Sequence, residues 1–198
     1  IAERKMSAHF NKPGQEIFDH FVFVLAGDGC MMEGVASEAC SLAGHLGLGN
    51  LIVYYDSNHI SIDGPTDITF SEDVAKRFEA YGWQVLRGSM YSFEDIASLT
   101  ARAKAEKDRP SLIVLDSVIG KGAPTKQGTS SAHGSPLGEE EALKAKEALG
   151  IPIDKPFWIA PEAYSYFEEH RRELEKDYAA WQLRFETWKK ANPSLAQE

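Results

Sequence analysis

No apolar run in this chain approaches the length of a membrane-spanning helix, and no signal-peptide succession of basic, apolar and small residues is present. The expected address is the cytoplasm. Cysteine is scarce: there are two, Cys30 and Cys40, about 15 Å apart on a helix rising roughly 1.5 Å per residue, too far for a disulfide with each other. A reducing compartment fits that. Positive charge is short as well, with 21 Lys and Arg against 30 Asp and Glu and a net charge of −9. This balance excludes nucleic acid and anionic membranes as main partners. No clear arginine cluster stands out beyond Arg171-Arg172, in a polar helical stretch. Internal repeats are lacking, and so are two nucleotide signatures. Met32 stands where the third glycine of a dinucleotide fingerprint would follow Gly27-Asp28-Gly29, and Gly120-Lys121-Gly122 lacks the spacing and the Ser or Thr of a P-loop.

What is present is material for a core, 43% hydrophobic against 26% charged residues, arranged as alternating strand and helix signals. Strands are expected at Val22–Ala26, Leu51–Tyr55, Trp83–Leu86 and Ser111–Val118. Helices are expected from Met32 to Leu46, from Glu72 to Tyr81 with Gly82 as its stop, and from a Ser92/Asp95 capping box to Lys107. Ile60-Ser61-Ile62 reads as a short extended piece closed by Asp63-Gly64-Pro65. Such alternation predicts an α/β fold, a parallel sheet with helices on both faces. Beyond it, Ile119–Leu137 is rich in Gly, Ser, Thr, Pro and Lys without periodicity, as an active-site loop would be. A short helix from Glu139 to Leu149 and a long one opened by Pro161 complete the chain. The long helix carries Tyr178, Trp181, Phe185 and Trp188 on one stripe, read as core or interface packing. Residues 1–150 are expected to form one α/β domain and 151–198 a helical extension. Ile1 to Phe10 reads as a helix already in progress.

The segment that carries chemistry is Gly27-Asp28-Gly29 at the end of the first strand, with Asn58 just past the end of the second. A parallel crossover fills the interval between them, so Asp28 and Asn58 belong at the carboxyl ends of parallel, neighbouring strands. A carboxylate and an amide carbonyl are hard oxygen ligands, suited to Mg²⁺ when phosphate oxygens and water complete the octahedron. The glycines allow close approach of a diphosphate, and a following helix start favours its charge. Taken alone, Asp28 and Asn58 could equally be cap or turn residues.

Four further stretches decide between these readings. GDGCMMEG at 27–34, YYDSN at 54–58, ISIDG at 60–64 and HGSPLG at 133–138 together resemble the diphosphate-binding domain of transketolase, a thiamine diphosphate enzyme. The resemblance runs through all 198 residues and implies that the chain is an internal piece of a larger enzyme, Mg-dependent with Ca²⁺ or Mn²⁺ able to substitute. It implies metal ligation by Asp28, Asn58 and the backbone carbonyl of Ile60, with Gly27 and Gly29 at the diphosphate. It places Asp56, Ile62 and Ile119 beside the cofactor, the isoleucines lowering the dielectric around its thiazolium ring. His133 would lie against the diphosphate and near the donor sugar, where it could stabilise charge or move protons. Glu33, in the first helical turn by position, would join a carboxylate network across a homodimer interface. The implied reaction passes a two-carbon ketol unit from a ketose phosphate to an aldose phosphate, within the pentose phosphate pathway. The pyrimidine-binding domain, usually from a second subunit, and the sugar-phosphate site would come from other sequence. Alternatives are a dihydroxyacetone synthase, a deoxyxylulose-phosphate synthase, one half of a split transketolase, or a non-catalytic assembly module.

Overall fold

A computed structural model describes residues 1–198. The chain forms two compact units, Phe21–Asp154 and a second built from Ile1–His20 together with Lys155–Glu198. The units fall differently from the expected ranges, because residues 1–20 group with the C-terminal segment.

In the larger unit four strands form one sheet: β1 (Val22–Gly27), β2 (Leu51–Ser57), β3 (Gln84–Ser89) and β4 (Ser111–Asp116). All pairings are parallel, in the order β1-β2-β4-β3. The expected α/β class stands. Alternation along β2 and β4 splits the core in two. Val53, Tyr55, Leu112 and Val114 face one cluster with Met31, Ala43, Phe78 and Trp83, while Ile52, Ile113 and Leu115 face another with Leu86, Leu99 and Ala103. The first cluster is covered by the helices after β1 and before β3, and the second by the helix between β3 and β4. Helices therefore lie on both faces.

Following α1 of the smaller unit (Ala2–Phe10), the crossover expected as one helix is two: α2 (Asp28–Met32) and α3 (Gly34–His45), separated by Glu33 in extended conformation. Glu33 is thus not in a first helical turn; it ends one helix and precedes the next. The break has a tertiary cause. Arg77 of α4 (Val74–Ala80) donates to the Met31 carbonyl at 2.8 Å and to the Ser37 hydroxyl, and its Nε lies 2.6 Å from Glu72 Oε1, out of line for a hydrogen bond. Cys30 and Cys40, on the two helices, are both free thiols. Close approach fixes Gly44, where an added Cβ would lie 1.9 Å from the Tyr81 carbonyl oxygen.

The cap before α5 (Phe93–Ala105) is half of the expected box. Ser92 Oγ accepts from the Asp95 amide at 3.1 Å, but the Asp95 carboxylate accepts from the Ser89 amide, 3.1 Å away at the end of β3. Helix α6 (Glu139–Ala148) closes the larger unit, and its buried Glu141 accepts from the amides of Thr125 and Lys126 at 2.7 and 3.2 Å. Those bonds tie the Ile119–Leu137 segment to α6 and hold the Glu141 carboxyl below the ordinary carboxylate range, the Thr125 amide being the main cause.

The smaller unit centres on α7 (Pro161–Ala191). Its aromatic stripe stacks in sequence, with ring centroids 6.2, 5.2 and 5.8 Å apart from Tyr178 through Trp181 and Phe185 to Trp188. Trp181 and Trp188 donate their indole N–H groups to the carbonyls of Ile17 and Phe10, so the stripe is packing within this unit. Arg171 and Arg172 are engaged with Glu168, and Arg171 also with Glu175, on the helix surface. No helix is long and apolar enough to cross a membrane.

Candidate functional site

The sheet register sets Gly27 beside Asp56, so the chain leaves β1 and β2 at the same level. Carboxyl ends of neighbouring parallel strands are where ligands of open α/β sheets bind. Asp28 is the first residue of α2 and only 3% exposed. Its Oδ1 accepts from the Tyr55 hydroxyl at 2.6 Å, and its Oδ2 accepts from the amides of Asn58 and His59 at 3.1 and 2.9 Å. A buried carboxylate is costly without compensation, and all three donors are neutral. With two lone pairs per oxygen, Oδ2 is filled and Oδ1 keeps one free.

The loop after β2 is tied to that carboxylate. Asn58 Oδ1 accepts from the Ile60 amide at 3.0 Å, an Asx turn that uses one of its lone pairs and leaves the other. His59 takes the left-handed conformation, φ 61°, held there by its own amide on Asp28 and by its carbonyl accepting from Thr66 at 3.0 Å. Ile60 bridges to Pro65 and Ser61 donates to the Gly64 carbonyl at 2.8 Å. The extended piece expected over 60–62 is therefore a single bridge followed by a bend. The Ile60 carbonyl is not used as an acceptor in closing this loop.

Around these groups the chain leaves room. Cβ atoms added at Gly27, Gly29 or Gly134 would meet nothing within 4 Å. Asp28, Tyr55, His59 and Thr66 also line a cleft of about 230 Å³ that reaches Arg87. No group of three or more His, Cys, Asp or Glu side chains is placed to hold a metal by itself. A cation here would rest on one carboxylate, one amide oxygen and one backbone carbonyl, a set that carries a single negative charge. Oxygen donors so few and so weakly charged suit a hard divalent ion that is shared with an anionic ligand.

The other expected residues are distributed as follows. Asp56 accepts from the Ser117 hydroxyl, linking the ends of β2 and β4. Ile119, partly buried, accepts through its carbonyl from the Gly128 amide at 2.8 Å, which folds the 119–137 segment back on itself. His133, partly buried, ends a single 3-10 turn at Ser130–Ala132, and its amide donates to Ser130. None of the hydrogen bonds on Asp28 involves it. Ile62 is 70% exposed and Glu33 is exposed. The structure thus brings Asp28, Asn58 and Ile60 together and leaves His133, Ile62 and Glu33 without direct bonds to them.

Tyr55 is the site residue that sequence reasoning passed over. Strand alternation places it on the same face as Val53, in a core cluster where a phenol hydroxyl needs a partner. That need was the available signal. Burial pushes its hydroxyl well above the ordinary phenol range, and the bond to Asp28 adds to the shift.

Fold and site together define an α/β domain with a buried carboxylate and unobstructed glycines at the carboxyl ends of neighbouring parallel strands. The family model described as "Transketolase, thiamine diphosphate binding domain" matches residues 1–198, and the chain belongs to that family. It is 55% identical to the transketolase of Treponema pallidum over 193 residues, covering 98% of this chain and 29% of that protein. With transketolase 2 of Escherichia coli it shares 48% over 199 residues, 100% of this chain and 30% of that one. Among solved structures, transketolase from Leishmania mexicana superposes with a TM-score of 0.92 at 40% identity, covering 98% of this chain and 29% of that chain. A Pichia stipitis transketolase in complex with sedoheptulose 7-phosphate gives the same TM-score at 39% identity, with the same coverage. The chain spans about three-tenths of the length of these relatives.

Proposed function

We propose that these residues form the diphosphate- and metal-binding part of a transketolase, an enzyme that moves a two-carbon ketol unit from a ketose phosphate to an aldose phosphate. The observation that carries the reading is the Asp28 carboxylate. It is buried, bonded only to neutral donors, and set between two strand ends beside glycines with open space around them. Asp28, Asn58 and the Ile60 carbonyl would hold Mg²⁺, and Gly27 and Gly29 would admit the diphosphate of thiamine diphosphate. The cofactor, when bound, supplies the carbanion chemistry. The protein supplies position and electrostatics. Asp56 would fix the β2 end near the cofactor, Ile62 and Ile119 would exclude water from its reactive ring, and His133 would hold or move a proton at the substrate. Sugar phosphates as substrates are supported by the sugar-phosphate complex of a relative.

Glu33 would act at the interface of a cytoplasmic homodimer, and its exposure at the helix break suits contact with a second subunit. The remaining positioning groups, including the pyrimidine-binding domain, would lie in the seven-tenths of the relatives' length outside this range. Residues 1–198 by themselves are therefore expected to give no ketol transfer. Turnover by the purified chain with Mg²⁺, thiamine diphosphate, a ketose phosphate and an aldose would refute that.

The central test is thermal unfolding of the full-length enzyme that contains these residues, with and without Mg²⁺ plus thiamine diphosphate. The parent should be stabilised by the pair, as expected for ligands that bind only the folded state. Asp28→Ala should show no such stabilisation, and an undiminished shift in that variant would remove the assignment.

A further inference from the structure

We propose that Tyr55 is a positioning residue for the metal: its hydroxyl, 2.6 Å from Asp28 Oδ1, fixes the one carboxylate oxygen that has a lone pair left to give. This rests on the reading of Asp28 as a metal ligand. The amides of Asn58 and His59 fill Oδ2, so they orient the carboxylate from one side. Without the phenol, Oδ1 would be restrained only through the opposite oxygen, and the carboxyl group could turn about its Cβ–Cγ bond. With it, three donors from two sides over-determine the plane. The ring that delivers the hydroxyl is itself immobilised, 4% exposed and packed among Met31, Val53 and Val114 on the sheet. Tyr55 thus converts the rigidity of β2 into a fixed orientation of a side chain that begins α2.

Partners of this kind, one bond removed from a metal, typically govern affinity by about 10- to 100-fold. Phenylalanine keeps the ring and its packing and deletes only the bond.

The test uses the full-length enzyme and Mn²⁺ as an EPR-visible probe in the presence of thiamine diphosphate. Tyr55→Phe should weaken Mn²⁺ binding by about 10-fold or more. Ile52→Ala, a truncation on the same strand but on the opposite face of the sheet, away from Tyr55 and Asp28, should lower the unfolding temperature of the metal-free protein yet leave Mn²⁺ affinity within about twofold. That contrast separates positioning from general loosening of the sheet. If Tyr55→Phe binds Mn²⁺ as tightly as the parent or more tightly, the proposal is wrong, and it is equally wrong if Ile52→Ala weakens binding as much. Asp28→Ala separates the two levels of inference. Abolished Mn²⁺ binding there alongside unaltered Tyr55→Phe overturns only the role of Tyr55, whereas retained binding overturns the metal assignment and this proposal with it.

Discussion

The strand-end centre around Asp28 and the loop that carries His133 are both candidate parts of one active site, yet they are built in opposite ways. Asp28 is held by side-chain and backbone donors that issue from β2 and its following turn, so its position is as fixed as the sheet. His133 stands at the end of a single 3-10 turn, in a segment stitched together by its own amides and by Glu141 of α6. One region suits anchoring, where displacement is costly and nothing needs to move. The other suits work on a substrate that enters and leaves. The difference teaches that retention of the cofactor and transfer of the substrate group should be separable by mutation.

The largest expected effect tests the anchoring side. Asp28→Ala should abolish stabilisation by Mg²⁺ and thiamine diphosphate and, with it, turnover, as read by thermal unfolding and a ketol-transfer assay. His133→Ala should sharpen the contrast: turnover falls by about 10²-fold, at the low end for a general acid–base group, while stabilisation by cofactor stays near the parent's. Full activity with an unaltered donor KM would make the histidine a bystander. In the smaller unit, Trp188→Ala should cost about 3–5 kcal/mol by denaturant unfolding, because a side chain 2% exposed and bonded to the Phe10 carbonyl leaves a large void. A loss confined to less than about 1 kcal/mol would mean the stripe is not that unit's core.

The smallest effect concerns pH. Glu141 is held below its ordinary value, so its contribution to the loop is complete above that value and is lost as pH falls through the lowered one. Amide exchange of Thr125 and Lys126 should accordingly accelerate, relative to neighbouring amides, in acid below the ordinary carboxylate range. Glu141→Gln should remove that extra pH dependence, and exchange that tracks pH identically in both proteins would dissociate the loop from this carboxylate.

Sequence legibility followed the range of the forces involved. Strand and helix existence is local, and the four expected strands stand within a few residues of those observed, at 22–27, 51–57, 84–89 and 111–116. Gly82, at φ 84°, ends its helix as expected, and Gly150, at φ 68°, follows the end of α6 in the same left-handed conformation. The insertion of β4 between β2 and β3 was not readable, because neither periodicity nor turn chemistry reports which strands become neighbours. The helix break at Glu33 was equally hidden, since the Arg77 guanidinium that captures the Met31 carbonyl lies on α4, far along the chain. At the site, Asp28 and Asn58 were identifiable as strand-end oxygen donors. Tyr55 was not, because its apolar neighbours made it read as core, and only packing reveals where its hydroxyl goes. The grouping of residues 1–20 with α7 likewise depends on contacts such as Trp181 with Ile17 and Trp188 with Phe10.

The strand order also has a consequence for the order of synthesis. β2 and β3 touch only through β4, which is made last of the four. While the polypeptide leaves the ribosome, β1, α2, α3 and β2 can assemble as they appear, but β3 must wait as an unpaired ribbon. The hydrogen bonds that orient Asp28 come from β2 and its following turn and so lie within that early half, whereas the cleft beside it needs Arg87 of β3 and Val114 of β4 and is complete only once Ser111–Asp116 has paired on both sides.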